Sequence, residues 1–503
     1  MAEGTALDLP LYTAAQVRAL DRCAIDGHGI PGITLMARAG RALFAVLRRH
    51  YRNAPLHVLC GTGNNGGDGF VVARLGLDAG WPVEVLLVGA QERISGDARL
   101  AFDAARDAGV SIRPFDAARG FEGGVIVDAL LGTGLGGTVR QDHAEAIAAA
   151  NASGLPIMAV DIPSGLCSDT GAVLGCAIRA AHTVTFIGRK RGQFTGAGRE
   201  HCGELHFADL GVPSAVQDQV RAEAGLLTFR PLPPRARGAH KGLFGHVLIV
   251  GGNAGMGGAA AMAAEAAARC GAGLVSLATV PGNVAAIISR RPEIMAHGVE
   301  HPHQLEPLLA RATVLVVGPG LGRGAWAEQM LQRALACDKP IVIDADGLNM
   351  LADGFPLVEG FRSKWLLTPH PGEAARLLGS TSAMVEADRF AALAALRERF
   401  PGAIVLKGAG TLVADAHSAV IGVCPYGNPG MASGGMGDVL SGVLGAALAQ
   451  GATLGEAARQ GVCLHARAAD CAVAADGERG LLASDLFFWL RRLSNGIGDA
   501  GAQ

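Results

Sequence analysis

Short apolar runs recur along the chain, and each is followed at once by a glycine-rich or polar stretch. Two examples are residues 56–60 and residues 125–131, and the segments after such runs have apolar positions at helical spacing. A continuous apolar run of this length predicts a strand that is buried on both faces. Repeated strand, turn and helix units predict an α/β protein with parallel sheets.

The first half shows three strands that end in polar residues. Strand 56–60 leads into the glycine loop 61–69, which we expect to continue as a helix from Phe70. Strand 125–131 leads into the loop 132–138, and strand 156–161 leads into Ile-Pro-Ser-Gly. Ligands of α/β sheets bind outside the carboxyl ends of the strands, so we expect one site here. The polar residues at these ends are Asn65, Asp128, Asp161 and Ser164.

Gly61, Gly63 and Gly66 match the G-x-G-x-x-G dinucleotide fingerprint between a strand and a helix. The acid expected at the end of the following strand is missing, because that strand runs into Gly89. The pattern therefore argues against an ordinary NAD-dependent oxidoreductase. The amides of Asn64 and Asn65 suit a polar ligand or a cation; the alternative is that they only tolerate a turn and that Asp68 caps a helix.

The second half repeats the α/β pattern after a proline-rich stretch at 231–238. Four strands run into short polar motifs, which are Gly318-Pro-Gly-Leu-Gly322, Asp344-Ala-Asp-Gly-Leu-Asn349, Thr368-Pro-His-Pro-Gly-Glu373 and Lys407-Gly-Ala-Gly-Thr411. A fifth motif, Gly434-Gly-Met-Gly-Asp438, ends a glycine-rich loop. The last motif opens an apolar helix, and free N–H groups at such a helix start favour an anion. Asp438 beside a phosphate would serve proton abstraction; as an alternative it only caps the helix.

Composition narrows the function classes. A chain of 503 residues is too long for a single hydrophobic core, so we expect two or three domains. The net charge of -2 argues against nucleic acid as the main partner. The ten cysteines form no C-x-x-C pair, and the first residues lack the pattern of a signal peptide. We therefore expect reduced thiols and a cytoplasmic protein.

Three motifs in the first half resemble the NAD(P)H-hydrate epimerase domain, the YjeF N-terminal family: Gly-Thr-Gly-Asn-Asn-Gly-Gly-Asp-Gly, Asp-Ala-Leu-Leu-Gly-Thr-Gly and Asp-Ile-Pro-Ser-Gly-Leu. The resemblance covers residues 13–212 and implies a Rossmann-like three-layer domain. It implies that K⁺ is held by Asn65, Asp128 and Ser164. It also implies that the hydrate is bound by Asn64, Asn65, Gly66, Gly67, Asp68, Gly132, Thr133, Gly134, Leu135, Gly136, Gly137, Thr138 and Asp161. Ala37 departs from the acid that the family has at this position.

The ordered set of motifs in residues 241–490 resembles the ADP/ATP-dependent NAD(P)H-hydrate dehydratase family, whose fold is ribokinase-like. The resemblance implies that Ala259, Gly322, His370 and Asp438 face the hydrate. It implies that the nucleotide is bound by Lys407, Gly408, Ala409, Gly410, Thr411 and Gly437. Asp344 and Glu373 are implied candidates for Mg²⁺. Taken alone, His370 reads as a packed or surface histidine, Glu373 as a helix-start acid and Lys407 as a solvated strand end.

Together the resemblances predict an epimerase domain at 1–225, a linker at 226–240 and a dehydratase domain at 241–503. The expected function is repair of NADHX and NADPHX: epimerisation of the R and S hydrates, then dehydration of the S form with ADP, which gives AMP and phosphate. Asp438 and Asp161 are the expected catalytic residues, and a homo-oligomer, a tetramer or larger, is expected. The motifs do not distinguish ADP from ATP as the phosphoryl donor. The alternative is a ribokinase-like small-molecule kinase with an N-terminal nucleotide-binding or scaffold module.

Overall fold

The structure is a computed structural model that describes residues 9–355 and 362–498. Pro10–Ala224 form one compact unit, and the described residues from Gly225 onward form a second together with Leu9. We call them the N-terminal unit and the C-terminal unit. Among the described residues, no helix is both long and apolar enough to cross a membrane.

The N-terminal unit alternates strands and helices. Its strands are β1 (Leu9–Tyr12), β2 (Leu56–Cys60), β3 (Val83–Leu87), β4 (Ser111–Pro114), β5 (Val125–Ala129), β6 (Ile157–Val160), β7 (His182–Phe186), β8 (Arg189–Lys190) and β9 (Glu204–Ala208). Its helices are α1 (Ala14–Arg22), α2 (Gly32–His50), α3 (Asn64–Asp78), α4 (Gly96–Asp107), α5 (Gln141–Ala152), α6 (Gly198–His201) and α7 (Ser214–Asp218).

The main sheet of this unit has the strand order β4-β3-β2-β5-β6-β7-β9, and every pair in it is parallel. In chain order this is the Rossmann arrangement with one further strand, and the order reverses between β2 and β5. Side chains of one strand alternate between two cores: Val58 packs with α2 and α3, whereas Leu59 packs with α5. The predicted three-layer α/β architecture is confirmed.

Helix α3 begins earlier in the chain than the sequence predicts. We expected a loop up to Gly69, but the helix begins at Asn64, and the extended Gly63 is its N-cap. The alternative that Asp68 caps the helix is therefore wrong, and Asn64 and Asn65 lie in its first turn. Gly66 in the first turn of α3 lets the helix pack closely against the backbone of the preceding loop. A Cβ at Gly66 would lie 2.0 Å from the Gly61 carbonyl oxygen.

The C-terminal unit continues the pattern. Its strands are β10 (Ala224–Leu226), β11 (His246–Val250), β12 (Leu274–Thr279), β13 (Met295–Gly298), β14 (Val314–Val317), β15 (Ile341–Ile343), β16 (Trp365–Leu367), β17 (Ala403–Leu406), β18 (Leu412–Asp415) and β19 (Ser418–Val423). Its helices are α8 (Gly257–Arg269), α9 (Val284–Arg290), α10 (Glu306–Arg311), α11 (Ala325–Leu335), α12 (Ala345–Ala352), α13 (Pro371–Leu378), α14 (Ser382–Ala387), α15 (Arg389–Arg399), α16 (Met436–Ala449), α17 (Leu454–Asp476) and α18 (Leu486–Ser494).

The strands in the order β13-β12-β11-β14-β15-β16-β17 are parallel. β18 and β19 follow as antiparallel strands, and β10 lies beside β19. Helices α8, α16, α17 and α18 form the large core on one face of this sheet. The α/β class predicted for the second half is confirmed. The ends of β15, β16 and β17 lie side by side, which brings their polar motifs together.

Candidate active sites

A cavity of about 770 Å³ opens in the N-terminal unit at the carboxyl ends of the strands. It includes the expected switch point, because the β2 and β5 ends both line it. The predicted residues that line it are Asn64, Asn65, Asp68, Gly132, Thr133, Gly134, Leu135, Gly136, Thr138 and Asp161. Gly66, Gly67 and Gly137 are not among its lining residues; Gly67 instead packs against Met36.

Asp161 is held in an unusual backbone conformation at the end of β6. Its φ is 64°, a region that a residue with a side chain rarely adopts. The carboxylate accepts hydrogen bonds from the fully buried Lys190 ammonium and, at 3.1 Å, from the Phe186 amide. Lys190 also donates to the Thr185 hydroxyl at 3.0 Å. These contacts fix the carboxylate at the cavity wall.

Two further carboxyl groups surround this ion pair. Burial, together with the charge of Asp161, raises the pKa of Asp21 to about 6. Burial, followed by the charges of Asp161 and Asp21, raises the pKa of Asp68 well above its usual range. Three carboxyl groups thus lie near one ammonium, and the raised pKa values of Asp21 and Asp68 favour their protonated forms. Sequence reasoning missed Asp21 and Lys190, because α1 and β8 carry no motif.

The predicted cation ligands lie beneath the cavity. Asp128 and Ser164 are fully buried, and the Ser164 hydroxyl donates to Asp128 at 2.5 Å. The Ser164 and Leu130 amides donate to the same carboxylate at 2.8 and 3.3 Å. Burial raises the pKa of Asp128 to about 6, and these hydrogen bonds oppose the shift. Asn65 Nδ2 is buried and has no hydrogen-bond partner among the described residues.

In the C-terminal unit, three strand ends meet at Lys407. Lys407 Nζ lies 2.8 Å from Asp344 Oδ1 and 3.7 Å from Glu373 Oε2. Asp344 Oδ2 accepts a hydrogen bond of 2.7 Å from the Ser441 hydroxyl of α16. Burial alone would raise the pKa of Asp344, but the Lys407 charge and these hydrogen bonds lower it. Lys407 is therefore not a solvated strand end, and Ser441 is a partner that the motifs did not reveal.

His370 and Glu373 form the start of α13. The Glu373 carboxylate accepts the His370 amide at 2.8 Å, and His370 Nδ1 accepts the Gly372 amide at 3.0 Å. Burial, followed by Lys407 and Arg376, lowers the pKa of His370, so the ring is neutral at pH 7. Burial raises the pKa of Glu373 to about 7, although Lys407 opposes the shift.

Asp438 lies in the first turn of α16, whose N-cap is Gly435 with φ 89°. The alternative in which Asp438 only caps this helix is therefore wrong. Burial, followed by the charge of Asp344, raises the pKa of Asp438 to about 7, and Lys407 opposes this shift. A Cβ at Gly437 would lie 3.3 Å from Lys407 Nζ, so glycine permits this close approach.

The other predicted residues flank this centre. The Gly322 amide donates to Asp346 Oδ2 at 2.8 Å, and the Cβ of Ala259 lies near Gly320 of the same loop. Thr411 donates to the Gly408 carbonyl at 3.0 Å and closes the turn after β17. Ala409 and Gly410 lie within that turn. This arrangement combines a carboxyl group of raised pKa, a cation and a helix N-terminus, which are features that suit phosphoryl transfer.

Comparisons with known proteins agree with both halves. The family described as YjeF-related protein N-terminus matches residues 32–192, and the family described as NAD(P)H-hydrate dehydratase matches residues 247–492. The bifunctional NAD(P)H-hydrate repair enzyme Nnr of Coxiella burnetii is 49% identical over 96% of this chain and 99% of that protein. The Escherichia coli K12 protein of the same name is 44% identical over 96% of this chain and 94% of its own length.

A solved structure of the ADP/ATP-dependent NAD(P)H-hydrate dehydratase of Bacillus subtilis, co-crystallised with ATP and Mg²⁺, is 28% identical. It covers 52% of this chain and 93% of its own, with a TM-score of 0.46. The full-length relatives favour repair of hydrated cofactors over the small-molecule kinase alternative. This chain belongs to the family of bifunctional NAD(P)H-hydrate repair enzymes and has both an epimerase and a dehydratase domain.

Proposed function

We propose that Asp438 is the base of the dehydratase reaction. The observation that carries this proposal is a carboxylate with a pKa of about 7 in the first turn of α16, beside Lys407. A base with such a pKa is partly ionised at neutral pH and still binds a proton well. Asp438 takes the proton of the hydroxyl that water has added to the nicotinamide ring.

The donor in this proposal is ADP. The hydrate oxygen forms a bond to the β-phosphorus while the bond to AMP breaks, and the N–H groups at the start of α16 stabilise the transferring group. The ring nitrogen lone pair then expels phosphate, and a proton is lost from the adjacent ring carbon. The products are NADH or NADPH, AMP and phosphate. The turn of residues 407–411 and Gly437 bind the nucleotide, and Ala259, Gly322 and His370 face the hydrate.

Mg²⁺ fits the donor set of this site. The charges of Asp344, Glu373 and Asp438 act on Lys407, and the charge of Asp346 acts on Asp438. Hard carboxylate oxygens of this kind are the ligands that Mg²⁺ prefers. Asp344 and Glu373 would hold the ion through water, because Lys407 already lies between them. When bound, Mg²⁺ neutralises phosphate charge.

For the epimerase domain, we infer that Asp161 transfers the proton and that Lys190 keeps its carboxylate oriented toward the cavity. This inference rests on the ion pair between the two residues and on the constrained backbone of Asp161. Asp21 and Asp68 share the negative charge and supply an alternative position for the proton. The two loops that line the cavity, residues 64–68 and 132–138, bind the hydrate.

K⁺ fits the pocket beneath this cavity. The Asp128 carboxylate is fully buried and its hydrogen-bond donors are neutral groups, so a monovalent cation would compensate its charge. Asn65 would turn its amide oxygen toward the ion, since its amide nitrogen has no partner among the described groups. Ser164 would supply the third oxygen. The ion would organise the loop ends under the hydrate.

The wider setting is also a proposal. We infer NADHX and NADPHX as substrates, a cytoplasmic location and a homo-oligomer, a tetramer or larger. The domain limits of 1–225 and 241–503 and the linker of 226–240 rest on the proline-rich stretch, and residues 227–240 form no helix or strand.

The donor proposal is tested with the purified S hydrate and ADP. We expect one AMP and one phosphate for each NADH recovered, measured by chromatography and absorbance. The D438N variant should form all three products about 10²–10⁴-fold more slowly. Recovery with ATP and not with ADP would exclude ADP as the donor, and a stable phosphorylated product would support the kinase alternative.

A further inference from the structure

Three histidines and one glutamate converge on the N-terminal unit, away from the cavity. His50 is the last residue of α2, His182 begins β7, and Glu204 and His206 lie on β9. One ligand atom of each residue lies within 4.8 Å of those of the other three. The cavity lies at the carboxyl ends of the strands, whereas His182 and Glu204 pair at their amino ends.

The strand register produces this cluster. β7 and β9 are parallel, with His182 opposite Glu204 and Val184 opposite His206. Side chains two residues apart point to the same face of a sheet, so His182, Glu204 and His206 share one face. The end of α2 adds His50 above them: its ring centroid lies 4.3 Å from that of His182 and 5.7 Å from that of His206.

The distances match a tetrahedral metal site. His182 Nδ1 lies 3.1 Å from His206 Nε2 and 3.5 Å from Glu204 Oε2, and His206 Nε2 lies 3.8 Å from Glu204 Oε1. Ligand atoms about 2.0–2.2 Å from a tetrahedral Zn²⁺ are about 3.3–3.6 Å apart. The distances among His182, Glu204 and His206 therefore differ from these values by only a few tenths of an ångström, and the ligand atom of His50 lies within 4.8 Å of the other three.

The protonation of the histidines also suits a metal. Burial, followed by the charges of His50 and His206, lowers the pKa of His182, whereas Glu204 opposes the shift. Burial also lowers the pKa of His206; Glu204 opposes this shift, and His50 and Arg49 add to it. The lowered pKa values of His182 and His206 favour neutral imidazole, which is the form that binds metals.

We propose that His50, His182, Glu204 and His206 bind one divalent transition-metal ion, with Zn²⁺ as the best match to the three-imidazole, one-carboxylate set. This donor set suits zinc and its first-row neighbours, and not Mg²⁺ or K⁺. The ion ties the end of α2 to β9, which is an edge strand of the sheet. The site is structural and is separate from both reactions of the enzyme.

The test uses the full-length protein after treatment with a chelator, in buffer that contains K⁺ and Mg²⁺. Zn²⁺ is titrated, bound metal per chain is counted after desalting, and thermal unfolding is followed. We expect one tightly bound Zn²⁺ per chain and a rise of several degrees in the Tm of the N-terminal unit. H50A should weaken binding at least tenfold; since His50 is exposed, this change should not prevent folding.

H206Q provides a second variant, and the matched control is H301A/H303A, which removes an exposed, stacked histidine pair elsewhere. The control should bind Zn²⁺ as the unaltered protein does. Co²⁺ should give the visible spectrum of a tetrahedral site without thiolate charge-transfer bands. No retained zinc, equal affinity in H50A and in the control, or thiolate bands from the cysteines would each overturn the proposal.

Discussion

Asp344 Oδ1 lies 2.8 Å from Lys407 Nζ, although 63 positions separate the two residues in the chain. The pair joins the ends of β15 and β17, and Ser441 links it to α16. Asp438 lies on the same helix, so these contacts hold the proposed base near the turn of residues 407–411, which is the proposed nucleotide-binding turn. The dehydratase site is thus formed where three parallel strand ends meet one helix N-terminus.

Removal of the Lys407 charge should destabilise the C-terminal unit. The change K407M leaves Asp344 and Glu373 buried without their cation, and loss of one partner of a buried pair costs about 3–5 kcal/mol. Denaturant unfolding of the full chain measures this change. K364M is the matched control, since Lys364 pairs with Asp338 at an exposed position and should cost less than about 1 kcal/mol. Equal effects of the two changes would contradict the assigned burial of the pair.

The dehydratase rate should depend on a group with a pKa near 7. Asp438 must be ionised to accept a proton, and its pKa is raised to about 7, so kcat/KM should rise with pH and level off above that value. D438N should lower the rate by about 10²–10⁴-fold and remove this dependence. Rates with the S hydrate over pH 5–9 measure both effects. A pH profile that D438N leaves unchanged would exclude Asp438 as the base.

Lys190 should set the pH profile of epimerisation. K190M removes the cation that lowers the pKa of Asp21 and Asp68, so these two carboxyl groups should bind a proton more readily. The acid side of the epimerase profile should shift to higher pH, while dehydration of the S hydrate stays unchanged. Exchange between the epimers, followed by chromatography, measures the profile. A uniform loss at every pH would indicate that Lys190 only supports the fold.

Two glycines of the predicted epimerase site should respond differently to alanine. G66A places a Cβ 2.0 Å from the Gly61 carbonyl oxygen, whereas a Cβ at Gly134 meets no atom within 4 Å. We therefore expect G66A to lower the unfolding free energy by about 2 kcal/mol or more and G134A to be nearly neutral. Thermal unfolding of the two variants compares them directly. A stable G66A protein would contradict the observed helix start at Asn64.

K⁺ should stabilise the epimerase domain in a pH-dependent way. The pKa of Asp128 is raised to about 6, so the stability from its neutral form is lost as pH rises from about 4 through about 6. A cation offsets this loss only when Asp128 is ionised. Tm in KCl should therefore exceed Tm in choline chloride more at pH 8 than at pH 5. D128N should abolish the difference; a difference that persists in D128N would place the ion elsewhere.

Much of the fold and of both sites could be predicted because the motifs lie at strand ends. The carboxyl ends of parallel strands lie at the same edge of a sheet, so the strand pattern alone predicts that Asn65, Asp128 and Asp161 lie close together. The resemblance then connects Lys407, His370 and Asp438 to one reaction. These inferences concern residues within or next to a glycine-rich motif.

Other features could not be predicted because they depend on contacts between distant segments. Asp21 lies on α1 and Lys190 on β8, and only the folded chain brings both to Asp161. Ser441 reads as an ordinary helix residue until it meets Asp344. The helix start at Asn64 was misplaced because glycines usually indicate a loop, whereas here they allow close packing inside a helix.

The most direct test of the central claim follows recovery of NADH from a mixture of both hydrate epimers with ADP. The unaltered protein should restore both epimers in full. D161N should stop once the S hydrate is consumed. D438N should recover NADH about 10²–10⁴-fold more slowly while it still interconverts the epimers. Full recovery by D161N at the rate of the unaltered protein, or any rapid recovery by D438N, would contradict the division of labour between the two domains.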